Sequence, residues 1–266
     1  GGVVAEVVGV VRWNDAFEKI GFKNVVQVRD YPTDDPEFDP DNLEYTCIRF
    51  VPTAVQNAMG PSWSDPRSGE IINGSTFIYR GVNSILANWR FIQTAQIDES
   101  VRTKKMPEAA LQKSLEYVLA HEIGHTLGFM HNMGASFSYP VDSLRSKSFT
   151  DKYGTTPSIM DYARFNYVAQ PEDNIGYAGI FPRINDYDKW AIQWGYSYYP
   201  NAKSELEERK TLNNLTVKTI TGNRRLWFGG EGHDNDPLAL TEDLSDDVMK
   251  ASDYGLKNLR RVVKGL

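Results

Sequence analysis

Residues 121–131 read His-Glu-Ile-Gly-His-Thr-Leu-Gly-Phe-Met-His, which places three of the chain's four histidines in the spacing H-E-x-x-H-x-x-G-x-x-H. On a helix, residues four apart leave the same face one turn from each other, so the imidazoles of His121 and His125 point together. Two such nitrogens can meet one Zn²⁺ at about 2.0–2.1 Å. Gly128 tolerates positive φ, so the helix can stop there and the chain can swing back with His131 as a third ligand. Three protein ligands leave the fourth tetrahedral position for water, the pattern of a catalytic rather than a structural zinc. Glu122 is not needed to hold metal and is placed to take a proton from that water. A lone histidine, or a chance H-E-x-x-H, would mean an ordinary core or surface residue. The helix pair, the glutamate, the glycine and the third histidine together argue against that in a chain this poor in histidine.

Composition narrows the partners. At 266 residues, with 41% hydrophobic and 12% aromatic side chains, the chain can bury a substantial core as one large domain or a domain with an appendage. A net charge of −6 gives no electrostatic case for nucleic acid or an anionic membrane surface. No apolar run approaches the roughly 18 residues of a membrane span. The opening GGVVAEVVGVVRWNDAF lacks the basic region and small-residue cleavage site of a signal peptide, and its abrupt start predicts a chain cut from a longer precursor. Cys47 is the only cysteine, which excludes an internal disulfide. Its apolar-rich run, Tyr45–Val51, predicts a buried, inert thiol on a core strand. A thiolate capping the zinc as a latency switch is the sharper alternative.

Periodicity predicts a helix over Val4–Ile20 with Gly21 as its stop, and a short strand at Val25–Arg29. The acidic, proline-rich Asp30–Asn42 reads as a solvated loop, although its carboxylates could hold calcium. Glu44–Val51 reads as a second strand, Met59–Glu70 as loop, and Ile71–Tyr79 as a strand with a possible bulge at Gly74. Helices follow over Asn83 to about Asp98 and from Pro107 to Leu127, the second carrying the histidine pair. Residues 132–157 read as mostly irregular, followed by a helix from Asp186 to Gly195. Beyond lie a charged helix (Ser204–Lys210), short strands at Val217–Ile220 and Leu226–Phe228, and a last helix near Ser245–Val263. His233, the remaining histidine, sits in a loop-like stretch. It could fill the fourth zinc position, but a surface loop residue is the expectation.

Ser158-Ile-Met-Asp-Tyr162 lies 27 residues after His131. A lone methionine would be ordinary core filler. After this helix, it resembles the Met-turn of the metzincin clan of zinc peptidases. The resemblance gives Met160 the role of hydrophobic floor beneath the three histidines. Tyr162 is similar to the tyrosine of astacins and serralysins, which can reach the zinc at rest and hydrogen-bond the oxyanion during catalysis; a core tyrosine is the plainer alternative. Asn185–Tyr196 resembles the helix that follows the Met-turn and packs behind the site, and Trp13–Phe22 resembles the clan's first helix. Ile71–Tyr79 resembles the sheet's edge strand, onto which an extended peptide adds as a further strand, making Thr76, Phe77 and Ile78 candidate substrate-binding residues.

The stretches Trp13–Phe22, Ala58–Ser62, Asp65–Ile71, Tyr139–Arg145, Tyr153–Ala163 and Leu240–Leu244 are together similar to a large family of bacterial zinc-dependent peptidases of metzincin type, usually long, multidomain and exported. The resemblance implies an α+β fold: a metzincin catalytic domain over residues 1–200, with an upper subdomain to about 131, a lower one over 132–200, and the cleft between them. Residues 201–266 would be a C-terminal extension. It implies an exported zinc endopeptidase acting on protein or peptide, with His121, His125 and His131 on zinc, Glu122 as base and Tyr162 at the oxyanion. Two other readings stay open: a zincin-type hydrolase restricted to a particular amide, and a zinc-stabilised binding module whose activity has lapsed. The presence of Glu122 argues against the second.

Overall fold

The structure, a computed structural model, describes residues 8–231 and 236–265. The expected positions Val4 and Val7 of the first helix, and His233, lie outside the described residues. A run of five strands is followed by helices in an α+β arrangement that divides into two compact units: Gly1–Val11 with Val26–Met130, and Arg12–Val25 with His131–Leu266. Among the described residues no helix is long and apolar enough to cross a membrane.

The first unit holds all five strands. Strand β1 (Ile48–Val51), β2 (Ala58–Met59) and β5 (Thr76–Tyr79) form a sheet in the order β1-β5-β2, while β3 (Ser62–Ser64) pairs antiparallel with β4 (Ile71–Gly74). Two sequence expectations are corrected here. Met59–Glu70 is not all loop, because Ala58–Met59 and Ser62–Ser64 both pair, and the turn is confined to the residues between β3 and β4. Ile71–Tyr79 is not one edge strand but two strands interrupted at Ser75, whose N–H donates to the Pro61 carbonyl instead. Thr76, Phe77 and Ile78 form the middle of the three-stranded sheet, flanked in parallel by Ile48–Phe50 and, antiparallel, by Ala58–Met59. With both sides paired, that strand offers no free edge to a peptide; the edge strands of this sheet are β1 and β2, and the chain continues from β2 into β3 along 58–64. The register irregularity falls between Trp63 and Ser64 rather than at Gly74. The expected strand at Val25–Arg29 is absent: Asn24 takes φ +53°, and Val25 and Val28 face solvent, so no apolar face drives pairing there.

Two long helices lie in this unit, α2 (Val82–Thr94) and α3 (Glu108–Thr126), with residues 8–11 helical as well; α1 is the short helix Asn14–Glu18 of the second unit. In α2 the fully buried Arg90 bonds Thr94 and pairs with Asp98, which keeps its charge satisfied out of water. Helix α3 starts at Pro107, whose missing N–H costs nothing at a helix end, and has Glu108 in its first turn where the helix dipole favours an acid. Leu119 to Gly124 are consecutively buried, so α3 is covered on more than one face. The sheet reaches it closely: a Cβ on Gly60 would lie 2.2 Å from the carbonyl oxygen of Glu122. Cys47, partly buried, precedes β1 rather than lying within it, and burial pushes its thiol pKa up.

In the second unit α1 packs on α5 (Asp186–Tyr196), with Trp13 and Phe17 buried and the Phe17 and Tyr196 rings edge-on at 5.1 Å. Residues 132–157 are more ordered than expected, with two short 3₁₀ turns and helix α4 (Lys147–Tyr153) capped by Ser146. The charged helix α6 runs over Glu205–Gly222, so the strand expected at Val217–Ile220 is helical. Among the described residues that stretch borders no strand to pair with, so the helix begun at Glu205 runs on through its β-branched residues against their weak helix propensity. Arg224–Leu226 is a 3₁₀ turn, so no strand forms at Leu226–Phe228 either. Helix α7 spans Val248–Lys264. Leu244 and Ala251 pack into one core with Tyr139, Val141, Leu144, Ala163 and Val168. Residues 201–266 thus contribute part of the core around the methionine turn. Asn258, buried on α7, donates to the carbonyls of Tyr167 and Ala169 at 2.9 and 2.8 Å.

Candidate active site

Helix α3 ends in a fully formed Schellman motif. The Phe129 N–H donates to the Gly124 carbonyl and the Gly128 N–H to the His125 carbonyl, with Gly128 at φ +89°. A side chain there would be strained, so the glycine of the motif serves the turn that the sequence predicted for it. The same turn fixes a ligand. Nδ1 of His125 lies 2.8 Å from the Phe129 carbonyl oxygen, which can only accept, so Nδ1 carries the hydrogen and Nε2 keeps its lone pair.

The rings of His121 and His125 stand 4.9 Å apart and nearly perpendicular, as the four-residue spacing requires. His131 follows His125 by only six residues, and the turn returns it to the pair: ligand atoms of His121, His125 and His131 all lie within 4.8 Å of one another. Nδ1 of His131 is held by the carboxylate of Glu231, again directing its other nitrogen away from the protein partner. Imidazoles whose second nitrogens are engaged by a carbonyl and a carboxylate are what a zinc site requires. The donor set fits zinc. His121 and Glu122 are buried.

Met160 is fully buried, and its turn is tied down on every side. Its carbonyl accepts from the Asn132 N–H at 3.0 Å. Asp188, buried on α5, accepts from the Ser158 hydroxyl (2.7 Å) and from the Ile159 and Asn185 N–H groups (both 2.8 Å). Asn185 and Asp188 form a capping box at the start of α5, so one carboxylate both starts the helix and fastens the methionine turn to it. Burial pushes the Asp188 carboxyl up to about 7, against hydrogen bonds that favour its charged form. Asp161, next to Met160, accepts from the Ser136 N–H (2.7 Å) and the Thr156 hydroxyl (3.0 Å), and burial raises its pKa well above the ordinary value. The Tyr162 ring sits 4.4 Å from the His131 ring, centroid to centroid, and the Arg164 guanidinium lies 4.1 Å from the Tyr162 ring centroid. Arg164 is in turn gripped by both oxygens of Glu242.

A family model described as Met-zincin matches residues 103–266, more than half of the chain. The chain belongs to the Met-zincin family. No curated protein and no solved structure matches it. The mixed helix and sheet architecture is the α+β metzincin fold, and family and histidine cluster together point to a zinc metallopeptidase. The match runs through α6 and α7, so residues beyond 200 lie within the Met-zincin region.

The sequence singled out His121, Glu122, His125, His131, Met160 and Tyr162 but missed four supports. Glu231 carried no signal, since it acts 100 residues from its partner. Asn132 and Asp161 read as ordinary polar residues. Asp188 was the one that could have been found, because Asn185 and Asp188 stand at capping-box spacing before an apolar-periodic run.

Proposed function

We propose that the chain is a zinc-dependent endopeptidase, exported, that cuts protein or peptide substrates. The observation that carries this reading is the three-histidine cluster, with the second nitrogens of His125 and His131 already engaged and the buried Glu122 next to His121 in the chain. Export rests on the sequence resemblance alone. His121, His125 and His131 would hold the ion. Bound there, zinc would lower the pKa of a coordinated water from 15.7 toward about 7 and draw electron density from the scissile carbonyl. Glu122 takes the water's proton and passes it to the leaving amine. Its buried position strengthens that exchange by excluding bulk water. Tyr162, in contact with the His131 ring and the Arg164 guanidinium, donates its hydroxyl to the developing oxyanion.

The substrate lies along the free edge of Ala58–Ser64. Gly60 of that segment rests against the Glu122 carbonyl, and Met59 and Trp63 leave large apolar surfaces to solvent on it. An extended peptide added there gains backbone hydrogen bonds while its side chains meet those two residues.

Two variants test the reading on a denatured protein substrate and a mixed peptide library. Glu122→Ala should abolish cleavage while binding one zinc per chain. Tyr162→Phe should slow kcat by about 10²–10³-fold, the usual effect of removing one oxyanion donor. Wild-type turnover by Glu122→Ala would sink the mechanism.

A further inference from the structure

We propose that Glu231 is a positioning residue for the third zinc ligand, and that the segment Trp227–Glu231 is therefore a working part of the site. The inference rests on the zinc-peptidase reading above. His121 and His125 are carried by a helix, and His125 is fixed further by a carbonyl of its own turn. His131 lies past the end of α3 in irregular chain. The partner on its Nδ1 is the Glu231 carboxylate. A carboxylate can only accept, so it fixes the His131 tautomer with the hydrogen on Nδ1, leaves Nε2 free for metal, and raises that nitrogen's basicity more than a carbonyl would.

The delivery of Glu231 is built rather than incidental. Asn132, adjacent to His131 and fully buried, uses both ends of its amide on the same segment: Nδ2 donates to the Trp227 carbonyl at 3.0 Å, and Oδ1 accepts from the Gly229 N–H at 2.9 Å. The Gly134 N–H adds a bond to the Gly229 carbonyl at 3.0 Å. Residues 132–134 thus clamp 227–229, and two residues later the chain presents Glu231 to the ring next to the clamp. Glu231 itself is half exposed, with its side chain 48% accessible, so its pairing adds little to folding. Its effect should appear in metal binding and not in stability.

The test compares wild type, Glu231→Ala and Glu231→Gln by zinc affinity in chelator competition, by the visible spectrum of the Co²⁺-substituted protein, and by the urea midpoint of the zinc-free protein. The expected result is a zinc affinity weakened about 10–100-fold in Glu231→Ala. Glu231→Gln should fall between, because its amide oxygen still accepts. The Co²⁺ bands should shift in Glu231→Ala, and the zinc-free midpoints should agree. Equal zinc affinity and an unchanged Co²⁺ spectrum in Glu231→Ala would overturn the proposal while leaving the peptidase reading intact. If Glu231→Ala has a lowered midpoint, the Glu231→Gln affinity decides: equality with wild type overturns the proposal. A wild-type chain that binds no zinc would overturn both.

Discussion

The imidazole Nδ1 of His125 donates to the carbonyl of Phe129, a residue of the turn that ends the histidine's own helix. Helix termination and metal-ligand orientation are therefore one piece of local structure. The turn depends on Gly128 at φ +89°.

Gly128→Ala should lower stability by about 1–2 kcal/mol, the cost of a left-handed residue with a Cβ. The new methyl would lie 3.2 Å from the Ile71 side-chain end, which can yield, so the backbone and not a clash sets the size of the effect. The same variant should bind zinc more weakly, because both His125 and His131 hang on the turn. Calorimetric unfolding and chelator competition measure the two effects. Unchanged values in both would show that the turn does not govern the ligands.

Asp188 ties the methionine turn to α5 through three donors. Ala in its place would leave the Ser158 hydroxyl and the Ile159 and Asn185 N–H groups without their acceptor. Asp188→Ala should cost on the order of 2–4 kcal/mol in urea unfolding, as a broken buried polar network does. A midpoint equal to wild type would mean that the turn is held by packing around Met160 alone.

Three buried carboxyls give the second unit a pH dependence of definite sign. Burial raises Asp188 to about 7, Asp243 to about 6, and Asp161 in the same direction. A raised carboxyl keeps its proton in the folded state after the unfolded chain has lost it near pH 4. Its contribution is thus fully present below about pH 4 and is lost as pH rises through 6 to 7. Asp243 is the cleanest probe, since its buried Oδ1 has no hydrogen-bond partner to lose. Allowing for its partial exposure, Asp243→Asn should match wild type near pH 4 and exceed it by on the order of 1 kcal/mol at pH 8. Urea midpoints of the zinc-free protein at the two pH values check this; a constant difference between them would contradict it.

Much of the site was legible because its parts are local. The spacing of His121, Glu122 and His125 needs only helical geometry, and Gly128 needs only the steric freedom of glycine. The helices over Val82–Thr94, Glu108–Thr126, Asp186–Tyr196 and Val248–Lys264 were visible for the same reason, as 3.6-residue periodicity with caps. Two of the strands were not. Ala58–Met59 and Ser62–Ser64 are too short and too rich in turn residues to show an alternation, and they become strands only because 71–79 lies beside them. Missing them moved the expected free edge onto Thr76–Ile78, the strand that both neighbours cover.

The sequence by itself determined the three-histidine cluster, the glutamate inside it and the turn that closes its helix, since each is encoded within a few residues of chain and follows from the geometry of one helix and one turn. Tertiary structure alone decided which strand keeps a free edge, which carboxylate fastens the methionine turn, and that Glu231 stands behind His131. Those are pairings between segments far apart in the chain. Their partners are chosen by packing and by the need to satisfy buried polar groups, and neither leaves a periodic mark on the residues involved.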